Sequence, residues 1–411
     1  MQNLYYLKIF IYTTSLPDII YEMKVLKNIK RWPIESFVFC FSVLVFLFTL
    51  AYFFVLKSPV DPALFFKLID PRTLVNDFLG GAYFRLPFLV IFIYLFIRFQ
   101  INFVRQIFTT ALGRANSKVE TVSEYYKPFL PAAKDFIFTL VYTGFSLVLF
   151  ATTVKLLFLI SDVERIVEVS SSLMNLDRAL FGNYPIFSIH ILSQVPYLER
   201  LILLSYRGLF SVLAFLFLFL FLSKNKELFR KFILSFFLSA FIAVPFWIWG
   251  PALSPELMYN KNILSITIPQ EIEDGFKNLE QSENFANFLL KTDRFWIDPK
   301  NNFYAVSSNP SAHVAWAVIA LFYGFLLWRP LGFFLVPWFI LCSIGTVYTI
   351  QHYAIDSITG FALGLFCIVL SHFLLKLEKR YYSGLRQTPF VYNSFKNDMR
   401  KIFSCIFAKS K

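Results

Sequence analysis

Eight stretches of the chain run for about 20 residues with almost no charge, the length a helix needs to cross the apolar core of a bilayer. They are Phe37 to Leu56, Gly80 to Ile97, Phe136 to Val154 (extending toward Ile160), Leu201 to Leu222, Phe232 to Pro251, Ser311 to Trp328, Leu331 to Ile350 and Asp356 to Leu375. Arg85 lies near one end of the second stretch and Arg207 lies inside the fourth. By hydropathy the second, fourth and sixth carry the weakest signal. The pattern predicts an all-α fold, a polytopic transmembrane helix bundle of about eight spans.

The polar links between these stretches alternate in charge. Residues 98–135 hold six basic and three acidic side chains, and the link 223–231 holds Lys224, Lys226, Arg230 and Lys231 against Glu227. The tail from Lys376 holds nine basic and two acidic residues, whereas 161–200 holds five acidic and three basic. Cytoplasmic loops are enriched in Lys and Arg. An even number of spans with both termini cytoplasmic fits every link, including Lys24, Lys27, Lys30 and Arg31 ahead of the first span. The expected organisation is therefore a cytoplasmic segment 1–36, N-terminal membrane helices over 37–160, a second membrane domain over 161–375 and a basic cytoplasmic tail 376–411. Within the second domain, residues 252–308 are too polar to span and are expected to form an external cap. The first 22 residues show no cleavable signal-peptide pattern.

Composition agrees. Of 411 residues 57% are hydrophobic, 16% are charged and 54 are Phe. A disordered chain is excluded, and an ordinary soluble globule would carry about a quarter charged residues. The net charge of +13 sits in short runs beside apolar segments, where it orients helices. No arginine-rich arm or aromatic–basic motif points to nucleic acid. Cys40, Cys342, Cys367 and Cys405 form no CxxC pair, and three lie within apolar runs, as packing residues do.

Two of the four histidines sit in patterned settings. In Ser307-Ser308-Asn309-Pro310-Ser311-Ala312-His313, Asn309 suits an N-cap and Pro310 a first helical position. The N–H groups of that helix start would face an anion, with Ser311 adding a hydroxyl and His313 a titratable proton. In Gln351-His352-Tyr353-Ala354-Ile355-Asp356, His352 and Asp356 share a helical face. A carboxylate there holds one imidazole nitrogen protonated and leaves the other as nucleophile or base. The expected topology puts both settings at the same external surface. The plain alternative is that both histidines are polar anchors at the interface. His190 and His372 lack patterned partners and read as structural. Arg207 reads either as a phosphate ligand or as an ion-pair or snorkelling residue.

Pro310-Ser311-Ala312-His313 and His352-Tyr353-Ala354-Ile355-Asp356 resemble the second and third motifs of the type-2 phosphatidic acid phosphatase superfamily. Thr346-Val347-Tyr348, Gly360, Gly364, Leu176 to Gly182 with Pro185, and Tyr206 resemble its inositolphosphotransferase branch, which includes the inositol phosphorylceramide synthases. The resemblance covers roughly residues 170–375. It implies that His352 attacks phosphorus to form a phosphohistidine and that Asp356 orients and charge-balances it. His313 would protonate the leaving oxygen and later activate the acceptor. Ser311 would hold phosphoryl oxygens, with Tyr206 and Arg207 as substrate-binding candidates.

Two departures bear on the substrate. The phosphatase members carry an arginine six residues before the nucleophilic histidine, where this chain has Thr346, and Trp249 to Pro255 lacks the arginine of the family's first motif. A dianionic phosphomonoester needs more cationic neutralisation than a monoanionic diester, so the reduced set points to a diester donor and head-group transfer. The expectation is a membrane-embedded lipid head-group phosphotransferase needing no metal or cofactor and no obligate protein partner. Its site would face the periplasm in a bacterial cytoplasmic membrane, or the lumen in a eukaryotic ER or Golgi membrane. The alternatives are a lipid phosphate or polyprenyl-diphosphate phosphatase and a non-catalytic membrane protein or transporter.

Overall fold

The computed structural model describes residues 34–56, 162–223, 225–279, 297–298, 303–304 and 308–381, with a few isolated positions between 93 and 153. These residues are almost entirely helical. In chain order the helices are α1 (Ile34–Leu56), α2 (Val163–Phe181), α3 (Pro185–Ser188, running into a 3-10 turn Ile189–Gln194), α4 (Leu198–Arg207), α5 (Leu209–Leu222) and α6 (Lys226–Trp249). A π-turn (Glu256–Asn260), α7 (Gln270–Lys277) and a strand pair, Ile297–Asp298 with Phe303–Tyr304, follow. The chain then forms α8 (Ala312–Leu327), α9 (Arg329–Tyr348) and α10 (Ala354–Tyr381).

Among the described residues three helical segments are long and apolar enough to cross a membrane: Glu227–Trp249, Arg329–Tyr348 and Ala354–Glu378. The count is four if α4 and α5, bent by 54° at their junction, form one broken span. Of the eight expected spans, these three or four are the ones that the described residues show. The second and third expected spans lie almost wholly outside the described residues, as do both termini. The expected fourth span is not one continuous helix. Arg207 and Gly208 fall at its bend, a cation and the weakest helix former after proline. A hydropathy window averages over such a break. The sixth expected span forms a 16-residue helix, shorter than the crossing length.

α8 is the centre of the bundle and packs against α5, α6, α9 and α10, while α1 lies against α6 and α10. α2 is amphipathic. Its buried residues Ile166, Ser170, Leu173, Met174 and Asp177 recur at helical spacing along one stripe, and it ends at Gly182 in the left-handed conformation. The segment expected as a cap starts inside the core. Ala252, Leu253, Glu256, Leu257 and Met258 are buried, Leu253 N donates to Ser170 Oγ (3.1 Å) and Glu256 N to the carbonyl of Ile350 (3.0 Å).

Close approach of α10 to α8 depends on glycine. A Cβ at Gly360 would collide with the Ser311 carbonyl, and one at Gly364 would lie 2.8 Å from the Ala315 carbonyl and 3.0 Å from Val318 Cβ. Small residues four apart let membrane helices touch along their backbones. Gly360→Ala should therefore lower stability by about 1–3 kcal/mol, the usual range for overpacking. Thermal unfolding of the purified protein in detergent checks this, and an unchanged midpoint would contradict the packing described.

Candidate active site

The site lies where the start of α8 meets the turn between α9 and α10. Ser311, rather than Asn309, is the N-cap of α8, because its hydroxyl accepts from Val314 N at 3.4 Å. The Asn309 side chain instead accepts from Thr359 Oγ1 of α10 (2.7 Å), and Trp247 of α6 donates to the Pro310 carbonyl (3.3 Å). The segment carrying Ser311 and His313 is thus pinned from two sides. The opposing turn is closed by His352 N donating to the Thr346 carbonyl (3.1 Å).

Asp356, fully buried, joins the two. Its backbone carbonyl accepts from Ser311 N (3.1 Å). Its Oδ2 accepts from Tyr353 N (3.0 Å) and from the Ser308 hydroxyl. His352 Nδ1 lies 3.4 Å from the same oxygen and 3.1 Å from the Ser308 carbonyl. Both neighbours of Nδ1 are acceptors, so the proton belongs on Nδ1 and the lone pair on Nε2. Nε2 lies 3.3 Å from Ser311 Oγ. Because that oxygen accepts from Val314 N, its own proton is free to point at Nε2.

His313 is held differently. Its ring stacks on Tyr206 (centroids 4.6 Å apart, planes 13° apart) and meets Phe210 edge-on at 5.8 Å and Trp316 at 6.5 Å. The two imidazoles stand 6.3 Å apart, tilted by 54°. Ser311, His313, His352, Asp356 and Tyr206 are thus brought together. Arg207 follows Tyr206 at the α4–α5 bend. His372 lies away from this cluster, against Phe322 and Tyr323.

Three further residues shape the site. Ser308 contributes both its carbonyl and its hydroxyl, and Thr346 its carbonyl. Asp177 of α2 accepts from the backbone amides of Ala354 (2.8 Å) and Ile355 (2.9 Å) at the start of α10. Ser308 and Thr346 stand beside the motifs, and their carbonyls enter the site through the backbone, which spacing does not reveal. Asp177 left a signal, an acidic residue in register with the apolar stripe of an amphipathic helix.

A membrane-helix bundle with a paired-histidine, serine and aspartate centre is the class this arrangement defines. A family model described as the PAP2 superfamily matches residues 171–370, the part of the chain that carries the whole cluster, and supports placing the chain in that superfamily. The inositolphosphotransferase branch is not distinguished by this match. No curated protein and no solved structure matches the chain significantly.

Beside the site, His190 stacks on Tyr348 (4.3 Å), whose hydroxyl donates to Glu199 (2.9 Å). Burial lowers the His190 pKa to about 4, outweighing the Tyr348 backbone hydrogen bond and the charge of Glu199. As pH falls below about 6.5 the unfolded chain takes up a proton at this position that the folded protein refuses until about pH 4, so stability drops across that window. Asp177 has the opposite sign. Burial raises it to about 6, so the folded protein takes up its proton first and gains stability as pH falls from 6 toward 3.8. His190→Phe keeps a ring against Tyr348 but cannot titrate. Its unfolding midpoint should fall less than that of the unmodified protein between pH 6.5 and 4; parallel curves would refute the assignment.

Proposed function

We propose that the protein is a lipid head-group phosphotransferase working through a phosphohistidine on His352. The observation that carries this reading is the orientation of His352. Two acceptors hold the proton on Nδ1, and the Nε2 lone pair points toward Ser311 beside a second histidine. Superfamily membership favours phosphatase or phosphotransferase chemistry in a membrane setting.

In the first half-reaction His352 Nε2 attacks the phosphorus of a phosphodiester lipid. A P–N bond forms, the P–O bond to the lipid alcohol breaks, and protonated His313 gives its proton to the departing oxygen. The phosphorylated imidazole keeps the proton on Nδ1 and is cationic, and the Asp356 carboxylate facing it balances that charge. In the second half-reaction His313 takes the proton from an acceptor hydroxyl. The acceptor oxygen attacks phosphorus, the P–N bond breaks, and His352 is regenerated. Ser311 and the start of α8 hold phosphoryl oxygens, while Tyr206 fixes the ring of His313 and Arg207, next in sequence, is the candidate cationic ligand of the phosphoryl group.

The diester donor rests on the charge of the site. Thr346 stands where a phosphatase-type arginine would, buried, with its hydroxyl donating to the Ser343 carbonyl (2.7 Å) and bonded to Ser357 (2.9 Å). A neutral side chain there matches a monoanionic phosphoryl group better than a dianion.

The test is purified protein incubated with a phospholipid extract labelled in its phosphate, with products separated by mass spectrometry. Label should pass to a new lipid, through an acid-labile phosphoprotein. His352→Ala should abolish both signals. His313→Ala should slow turnover by about 10²–10⁴-fold, the usual contribution of general acid–base help. It should retain more activity on an aryl phosphodiester, whose leaving group needs little protonation. Asp356→Asn should lose most of the rate. Release of label only as inorganic phosphate would replace transfer by hydrolysis, and undiminished labelling of His352→Ala would place the nucleophile elsewhere.

A further inference from the structure

We infer that Asp177 is a positioning residue for this site: reaching from α2, its carboxylate caps the start of α10 and thereby fixes the turn that presents His352 and Asp356. The inference rests on the phosphotransfer reading for its effect on rate and on geometry alone for the clamp.

The first turn of a helix exposes N–H groups that need acceptors, normally supplied by a Ser, Thr, Asp or Asn just before it. α10 begins at Ala354, so the residue in that position is Tyr353, whose side chain cannot cap. Asp356, third in the helix, reaches back to Tyr353 N at 3.0 Å. This is one half of a capping box. The other half is missing from the local sequence. Asp177 provides it from 177 residues away, with Oδ2 on Ala354 N at 2.8 Å and Oδ1 on Ile355 N at 2.9 Å. The contact is sealed from water, since Asp177 and Asp356 are both fully buried.

Two consequences follow for the chemistry. The amide pair sits between His352 and Asp356 in sequence, so any displacement of the turn moves the imidazole relative to its carboxylate and to Ser311. The start of α10 is also occupied by a carboxylate of the protein itself. An incoming phosphoryl group is directed away from it, toward the start of α8 and Nε2 of His352. α2 is not among the helices apolar enough to count as a membrane span; through Asp177 it belongs to the site.

The experiment compares Asp177→Asn, Asp177→Ala and, as a control on the same helix face, Met174→Ala. Met174 is buried but makes no part of the clamp. Hydrogen–deuterium exchange of peptides covering 350–358 reads the clamp directly. Turnover of bis(4-nitrophenyl) phosphate, a soluble diester, reads the chemistry. Asp177→Asn retains one acceptor oxygen and preserves the shape of the side chain. It should speed exchange at Ala354 and Ile355 and lower kcat by about tenfold to 10²-fold, the scale of a misplaced catalytic group, while KM moves little. Asp177→Ala should show larger changes of the same kind. Met174→Ala should lower the unfolding midpoint without changing kcat. Unchanged exchange at 354–355 in Asp177→Asn overturns the clamp. A kcat loss reproduced by Met174→Ala at equal loss of stability overturns the positioning role. Wild-type protein that turns over neither the diester nor labelled lipid would overturn the phosphotransfer reading, while the exchange measurement would still decide the clamp.

Discussion

The carboxylate of Asp356 joins the two halves of the site. A bare charge taken out of water into a helix bundle is strongly unfavourable unless donors replace its hydration. Here the Tyr353 amide, the Ser308 hydroxyl and His352 Nδ1 face one oxygen, and the backbone carbonyl of the same residue receives Ser311 N. Those donors come from both the α8 start and the α9–α10 turn. Neither segment satisfies the group alone, so two stretches some forty residues apart form one unit.

Apolar burial gives helices in a membrane little reason to choose one partner over another, and specificity falls to small residues and polar contacts. Both are visible. Gly360 and Gly364 let α10 lie on the backbone of α8 beside the site. Elsewhere along the same helices, Ser235 of α6, Tyr323 of α8 and Ser371 of α10 form a buried hydrogen-bonded triad with contacts of 2.7 to 3.2 Å. Arg230 pairs with Glu378 at 2.8 Å, both largely buried. Three helices are thereby registered at two levels, and the depth at which His313 meets His352 follows from that register.

Local spacing is what made the centre legible. A serine two residues before a histidine sits at the start of α8, whereas the histidine and aspartate four apart do not share a helical face: His352 lies in the turn before α10 and approaches Asp356 from outside the helix, 3.4 Å away. What spacing does not carry is pairing between distant segments. The Asp177 clamp, the part played by Ser308 and the burial of 252–258 each depend on a partner far along the chain or on backbone atoms. The N-cap moved from Asn309 to Ser311 because Thr359 of α10 engages the Asn309 side chain, a tertiary contact overriding a local preference. The bend at Arg207–Gly208 escaped for another reason, since hydropathy sums over a window and is blind to direction.

The two histidines are positioned by different physics, and the difference bears on the parts proposed for them. His352 is fixed by hydrogen bonds to acceptors, which determine the ring plane and also which nitrogen holds the proton. A nucleophile requires that, because its attacking lone pair must be present before the substrate arrives. His313 is fixed chiefly by rings, lying flat on Tyr206 with Phe210 and Trp316 around it. Stacking sets the plane of an imidazole but is far less selective about protonation state than a carboxylate pressed against one nitrogen. In the proposed cycle His313 gives a proton in one half-reaction and takes one in the next. A carboxylate held against His313 as Asp356 is against His352 would favour the imidazolium and slow the second step. The bend between α4 and α5, which sets Tyr206 beside His313, is in this sense as much a part of the site as the motif residues.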